Sequence, residues 1–221
     1  AVDARSDVAA KALRPYLGRP LLDTLLADDP AWLDDTELVQ PAIFMVQVGL
    51  VALVEAMGIE PAAVLGQSTG EVAAAYAAGC LTLEEAARIV CIRSRILHRI
   101  SGQGAMAVID LAEQATERLL SSWDADLAIA GALGPQTTAL TGPAAAVHRL
   151  LGEARRRGVG CRLIRIAYAS HSRPIEPLLA ELRSALGRVE SQPAIRPLFL
   201  ASCGAQLDGE LLDGEYFAQS E

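Results

Sequence analysis

A short apolar run, Ala62-Ala63-Val64-Leu65-Gly66, leads into Gln67-Ser68-Thr69-Gly70 and then into an alanine-rich stretch closed by Gly79. The run is suited to a buried strand, and residues 68–78 read as a helix. The intervening Gly66-Gln67-Ser68-Thr69-Gly70 has the form G-x-S-x-G. A serine between a strand and a helix with so few residues to turn in is forced into a tight elbow, where small neighbours keep the two backbones from clashing. Alternation of strand and helix along this part of the chain points to a parallel α/β core.

The flanking sequence agrees with that class. Residues 41–57 read as a buried helix with Pro41 in its first turn and Gly58 at its end. Thr82 and Glu85 form a T-x-x-E capping box that opens a helix running to about Ile100. The middle section changes rhythm: strand 105–111, helix 112–123, strands 126–133 and 137–142, helix 143–157 and strand 159–167. The order β-α-β-β-α-β is that of a ferredoxin-like domain. It begins after Gly102-Gln103-Gly104 and ends before Tyr168, so it reads as an insertion. The expected division is residues 1–103 with 168–221 as the main α/β body, and 104–167 as the small subdomain. A helix over 174–186 and a strand over 196–202 return the chain to that body.

With 52% hydrophobic residues, the 221-residue chain has ample material for such cores. Its net charge of −8 and pI near 5.0 argue against nucleic acid as a partner. The one dense basic run, Arg155-Arg156-Arg157, falls at a helix C-terminus, where the dipole favours cations on a solvated face. Cys80, Cys91, Cys161 and Cys203 are scattered without metal-ligand spacing, which suits a reducing cytoplasm and argues against zinc or a disulfide framework. No stretch reads as a membrane span or signal peptide. The sequence opens on Ala1 without an initiator Met, so a piece of a longer polypeptide is expected.

Ser68 at the elbow would expose its Oγ at a helix N-terminus, with the Thr69 N–H facing a developing oxyanion. A serine nucleophile needs a base. Of three histidines, His98 and His148 fall on the outer sides of helices. His171 lies in the loop Tyr168-Ala169-Ser170-His171-Ser172, where the chain re-enters the main body, and is the best base by elimination and position. No acidic third member stands out, so a Ser–His dyad oriented by a backbone carbonyl is expected. On the helix from about 83 to 100, Arg93 falls within the apolar arc of Ile89, Ile92, Ile96, Leu97 and Ile100. A buried arginine left uncompensated would cost roughly 3–5 kcal/mol, so an anion must meet it. Either an internal carboxylate or a substrate carboxylate fits the guanidinium fork.

The run GQSTGEVAAAYAAGCLTLEEAARIVCIRSRIL, followed by GQGAMAVI and YASHS, resembles the acyltransferase domains of type I modular polyketide synthases. These are relatives of malonyl-CoA:acyl-carrier-protein transacylases. The resemblance implies an α/β-hydrolase-like core with a ferredoxin-like insert. It implies that Ser68 is acylated and His171 activates it, and that Arg93, 25 positions after the serine, grips the free carboxylate of an extender unit. The implied chemistry is ping-pong, from acyl-CoA to Ser68 and then to the phosphopantetheine thiol of an acyl carrier protein, with no cofactor or metal bound by the domain. Ketosynthase and other synthase domains of the same polypeptide are the implied neighbours, with neither nucleic acid nor membrane. Gln67 stands where the family usually has histidine, and similar variants load methyl-branched units. Tyr168-Ala169-Ser170-His171 and Val39-Gln40-Pro41 likewise resemble methylmalonyl-type patterns. Small Ala169 and Ser170 would leave room for an α-methyl group, a discrimination of about 1–3 kcal/mol. Thr69 belongs to neither pattern. The family's G-Q-G-S-Q stretch, with a second oxyanion donor, would lie before Ala1 and its closing strand and helix after Glu221, so this stretch alone is expected to turn over weakly. A serine esterase or thioesterase, or a non-catalytic docking module, are the rival readings.

Overall fold

A computed structural model describes residues 2–28, 30–123, 126–164 and 175–220. In chain order the elements are α1 (Val2–Leu13), α2 (Leu21–Leu26), α3 (Thr36–Ala56), β1 (Val64–Gly66), α4 (Thr69–Ala77) and α5 (Leu83–His98). There follow β2 (Ala105–Ile109), α6 (Glu113–Leu120), β3 (Ala128–Gly134), β4 (Thr137–Gly142), α7 (Ala144–Arg156) and β5 (Cys161–Ile164). The chain ends with α8 (Glu176–Leu186), β6 (Leu198–Leu200), β7 (Ala205–Leu207) and α9 (Gly214–Gln219). It divides into two compact units, Ala1–Ile96 with Leu179–Glu221, and Leu97–Leu178.

In the first unit β1 pairs in parallel with β6, and β6 pairs antiparallel with β7. α4 packs on β1 and β6, α3 packs on α4, and α1 packs on α3. Spacing accounts for α3: Leu38, Pro41, Met45, Val48 and Ala52 recur at three- and four-residue intervals, and all are buried. The helix begins five residues before the expected Pro41. Asp35 caps it by accepting from the Glu37 N–H at 3.0 Å, so Pro41 sits inside the helix and forfeits one i→i−4 bond. By length and apolarity, with a mean hydropathy of 1.8, α3 is a membrane-span candidate, which corrects the expectation that no stretch qualifies. Half of that window is buried inside the fold, as befits a core helix. α5 is capped by Thr82, whose Oγ1 accepts from the Glu85 N–H at 3.1 Å. Only this half of the capping box bonds as the pattern suggests. The Glu85 carboxylate turns to Arg88 and to the Glu190 N–H, and the Arg88 bonds hold its pKa below the usual carboxylate range.

The second unit is a four-stranded antiparallel sheet of order β3-β4-β2-β5, with the succession β-α-β-β-α-β. β2, AMAVI, is buried along its whole length, which follows from its central place in the sheet. α7 packs on β2, β4 and β5, and α6 on β3 and β4. Ala105, Ala107, Ile109 and Leu140 from the sheet meet Val147, Leu150, Leu151 and Ala154 from α7. Arg155, Arg156 and Arg157 lie exposed at the end of α7, and the latter two pair with Glu153. Strand β5 was expected to reach residue 167, and residues 165–167 lie outside the described ones.

Leu140 is wholly buried at the centre of this core. Leu140→Ala should lower stability by about 2–5 kcal/mol, measured by urea unfolding. An unchanged midpoint would contradict the packing described.

Candidate functional site

Ser68 joins β1 to α4 with φ 51° and ψ −127°. Among the described residues it is the only non-glycine with positive φ. Such a conformation costs on the order of 1–3 kcal/mol and persists only where its surroundings over-determine it. Three sets of contacts do so.

The first is steric. A Cβ on Gly66 would lie 2.5 Å from Glu71 Cα, 2.7 Å from Gly70 O and 2.8 Å from Ala74 Cβ. Only glycine lets β1 approach the first turn of α4 this closely. The second is backbone bonding. The Gly70 N–H donates to Gln67 O at 2.9 Å, Glu71 N–H to Ser68 O at 2.8 Å, and Ala201 N–H to Gly66 O at 3.0 Å.

The third is a buried carboxylate that the sequence reading did not single out. Glu71 is 0% exposed. It accepts from Ser202 N at 2.8 Å, from Ser202 Oγ at 3.0 Å and from the Tyr216 hydroxyl at 2.7 Å. Ser202 follows β6, and Tyr216 lies on α9, whose cap Asp213 accepts from the Tyr216 N–H at 2.8 Å. The carboxylate thus ties the first turn of α4 to the end of β6 and to α9. Burial, reinforced by the neighbouring carboxylate, pushes the Tyr216 phenol well above its ordinary pKa, so it stays a donor to Glu71. The available signal was Glu71 itself, an acidic residue among small apolar ones. A helix N-terminus explains an acid there equally well, so its clamp role was not legible.

Ser68 is half-buried, and Gln67 beside it is exposed. Thr69 is half-buried, and its hydroxyl donates to Gln40 Oε1 on α3 at 2.6 Å. One heptad further along α3, Gln47 Nε2 lies 3.5 Å from the Cβ position of Gly70. Gln47 Oε1 is buried without a hydrogen-bond partner among the described residues. Arg93 is 0% exposed on α5, as are Ile89 and Ala86 on the same helix, while Arg95 and Arg99 are exposed. His98 and His148 are exposed. His171, Tyr168 and Ser170 lie outside the described residues. Among the described residues no group of His, Cys, Asp or Glu is arranged to hold a metal ion.

Residues 1–220 match the family described as the acyl transferase domain. The spectinabilin polyketide synthase system protein NorC of Streptomyces orinoci is 39% identical over 210 residues, 94% of this chain and 9% of that protein. Erythronolide synthase EryA3 of Saccharopolyspora erythraea is 40% identical over 209 residues, 94% of this chain and 6% of that protein. The chain therefore spans less than a tenth of either relative. The crystal structure of the acyltransferase domain from module 8 of the salinomycin polyketide synthase is 35% identical with a TM-score of 0.92, covering 99% of this chain and 52% of that one.

Removing the Glu71 carboxylate takes the acceptor from the Ser202 N–H and leaves the Ser202 and Tyr216 hydroxyls, 2.7 Å apart, only each other. Glu71→Leu should destabilise by about 3 kcal/mol or more, and Tyr216→Phe by about 1–2 kcal/mol. Denaturant unfolding of both variants measures this, and equal midpoints for variants and parent would refute the clamp.

Proposed function

The chain belongs to the acyl transferase domain family, and from that premise we propose that it moves a carboxylated acyl group from acyl-CoA to Ser68 and then to the phosphopantetheine thiol of an acyl carrier protein. The observation that carries the reading is the strained Ser68 at the junction of β1 and α4, held from three sides. Strain of this kind is stored where a side chain must be presented at a fixed angle.

In the first half-reaction the Ser68 hydroxyl proton passes to His171 as Oγ attacks the thioester carbonyl. The N–H of Thr69, at the start of α4, stabilises the tetrahedral oxyanion, a contribution of about 2.7–4 kcal/mol for one such donor. Collapse breaks the C–S bond, and His171 returns the proton to the departing CoA sulfur. In the second half the carrier thiol gives its proton to His171, attacks the acyl-serine, and Ser68 leaves reprotonated. No metal or cofactor takes part in these steps.

Arg93 grips the free carboxylate of the acyl group. Its place on the inner arc of α5, 25 positions after Ser68, supports this, since a guanidinium fork matches a carboxylate. Methylmalonyl is the favoured unit and malonyl the lesser one. Small Ala169 and Ser170 beside Tyr168, and glutamine at position 67, support that preference. The first unit is read as an α/β-hydrolase-like core and the second as a ferredoxin-like insert. The sheet order β3-β4-β2-β5 supports the latter. Neighbouring ketosynthase and other synthase domains are the proposed partners in the polypeptide. A reducing cytoplasm is the proposed setting, supported by four cysteines none of which is disulfide-bonded.

Intact-mass analysis of the whole polypeptide carrying this chain, incubated with mixed acyl-CoAs, should show one carboxyacyl adduct, methylmalonyl above malonyl, absent in Ser68→Ala. No adduct with any acyl-CoA would end the transferase reading, and equal adducts would end the methylmalonyl preference. Arg93→Ala should lower kcat/KM for carboxylated acyl-CoAs by about 10–100-fold while neutral acyl groups gain ground. A uniform change across both substrate classes would exclude the carboxylate role.

A further inference from the structure

We propose that Thr69 and Gln40 form a positioning pair for acyl transfer, in which the hydroxyl–amide bond holds the peptide unit that carries the Thr69 N–H. This rests on the reading of that N–H as the oxyanion donor.

The Ser68–Thr69 peptide is where the elbow's strain can most easily relax. With Ser68 at φ 51° and ψ −127°, opposite rotations about Ser68 ψ and Thr69 φ would turn this plane while leaving the path of the chain almost unchanged. That rotation would swing the N–H away from the nucleophile's side. The carbonyl end of the plane is held by the Glu71 N–H at 2.8 Å. The amide end cannot be held the same way, because an N–H tied up by the protein is not available to an oxyanion. The remaining handle on that end is the Thr69 side chain.

Threonine is suited to this use. Its branched Cβ leaves few χ1 positions, so fixing Oγ1 fixes the backbone that carries it. Oγ1 donates to Gln40 Oε1 at 2.6 Å, across 29 residues of sequence and from α4 to α3. The anchor is firm. Gln40 is 8% exposed, and Leu38, Pro41, Ala42 and Phe44 around it on α3 are all buried. The peptide is thus gripped at both ends with its N–H left to the substrate, which is the preorganisation that transition-state stabilisation requires. A pair acting this way changes the rate of the chemical step and leaves ground-state binding of the acyl-CoA alone.

The test is single-turnover acylation of Ser68 in the whole polypeptide with methylmalonyl-CoA, with KM and thermal unfolding measured alongside. Thr69→Val, which keeps the shape and removes the hydroxyl, should slow acylation by about tenfold with KM within about twofold. Thr69→Ser should restore the rate to within about threefold of the parent. Gln40→Met, which leaves Thr69 intact, should show the same tenfold loss, and the double variant should be no slower than either single one. Parental acylation rates in Thr69→Val and Gln40→Met would overturn the proposal. So would losses that multiply in the double variant, or a lowered melting temperature with an unchanged rate in the folded fraction. A parent that forms no acyl-Ser68 would instead sink the transfer reading on which the pair depends.

Discussion

A serine held at positive φ is the constraint around which the first unit is organised. The backbone at Ser68 would relax if its neighbours allowed it, and each neighbouring feature blocks a route. The missing side chain of Gly66 lets β1 and α4 meet at a distance no Cβ tolerates. The Ala201 N–H joins that same glycine's carbonyl to the end of β6, and Glu71 draws Ser202 and Tyr216 onto the first turn of α4. Pairing of β1 with β6, placement of α9 and the length of the turn are therefore parts of one mechanical arrangement.

Among the described residues of this unit, two charged side chains, Glu71 and Arg93, are wholly buried. Glu71 has its acceptor capacity met by Ser202 and Tyr216, and a hydroxyl kept protonated by burial makes that satisfaction permanent. Such a carboxylate is inert chemically and stiffens what surrounds it. Arg93 lies on the inner face of α5, where a guanidinium is an expensive occupant unless an anion is matched to it.

The regular elements were legible where burial imposed a period. The strands and helices of the second unit fall where alternation and helical spacing indicate, with β3 running one residue past its expected end at 133, because they pack against a single apolar core. The ends were less legible. Helix α3 starts at Thr36, capped by Asp35 and with Leu38 and Gln40 already buried, in spite of the lost bond at Pro41, whereas a proline by itself suggests a helix start. α1 and α2 were not singled out, and β7 and α9, of three and six residues, are too short to carry a period. Their positions follow from pairing with β6 and from the Asp213 cap.

The sequence by itself determined the elbow, the residue at its apex and the inward side of Arg93, since each depends on local chain geometry: a strand, a tight turn, and a helix with a repeat near 3.6. Only the tertiary structure decided what Glu71, Gln40 and Thr69 do. Their partners lie between 29 and 145 residues away, and no local period records a contact made across the fold. A hydrogen bond between side chains on different elements exists only once packing has brought those elements together, so the residues that hold Ser68 in place became visible only in the folded chain.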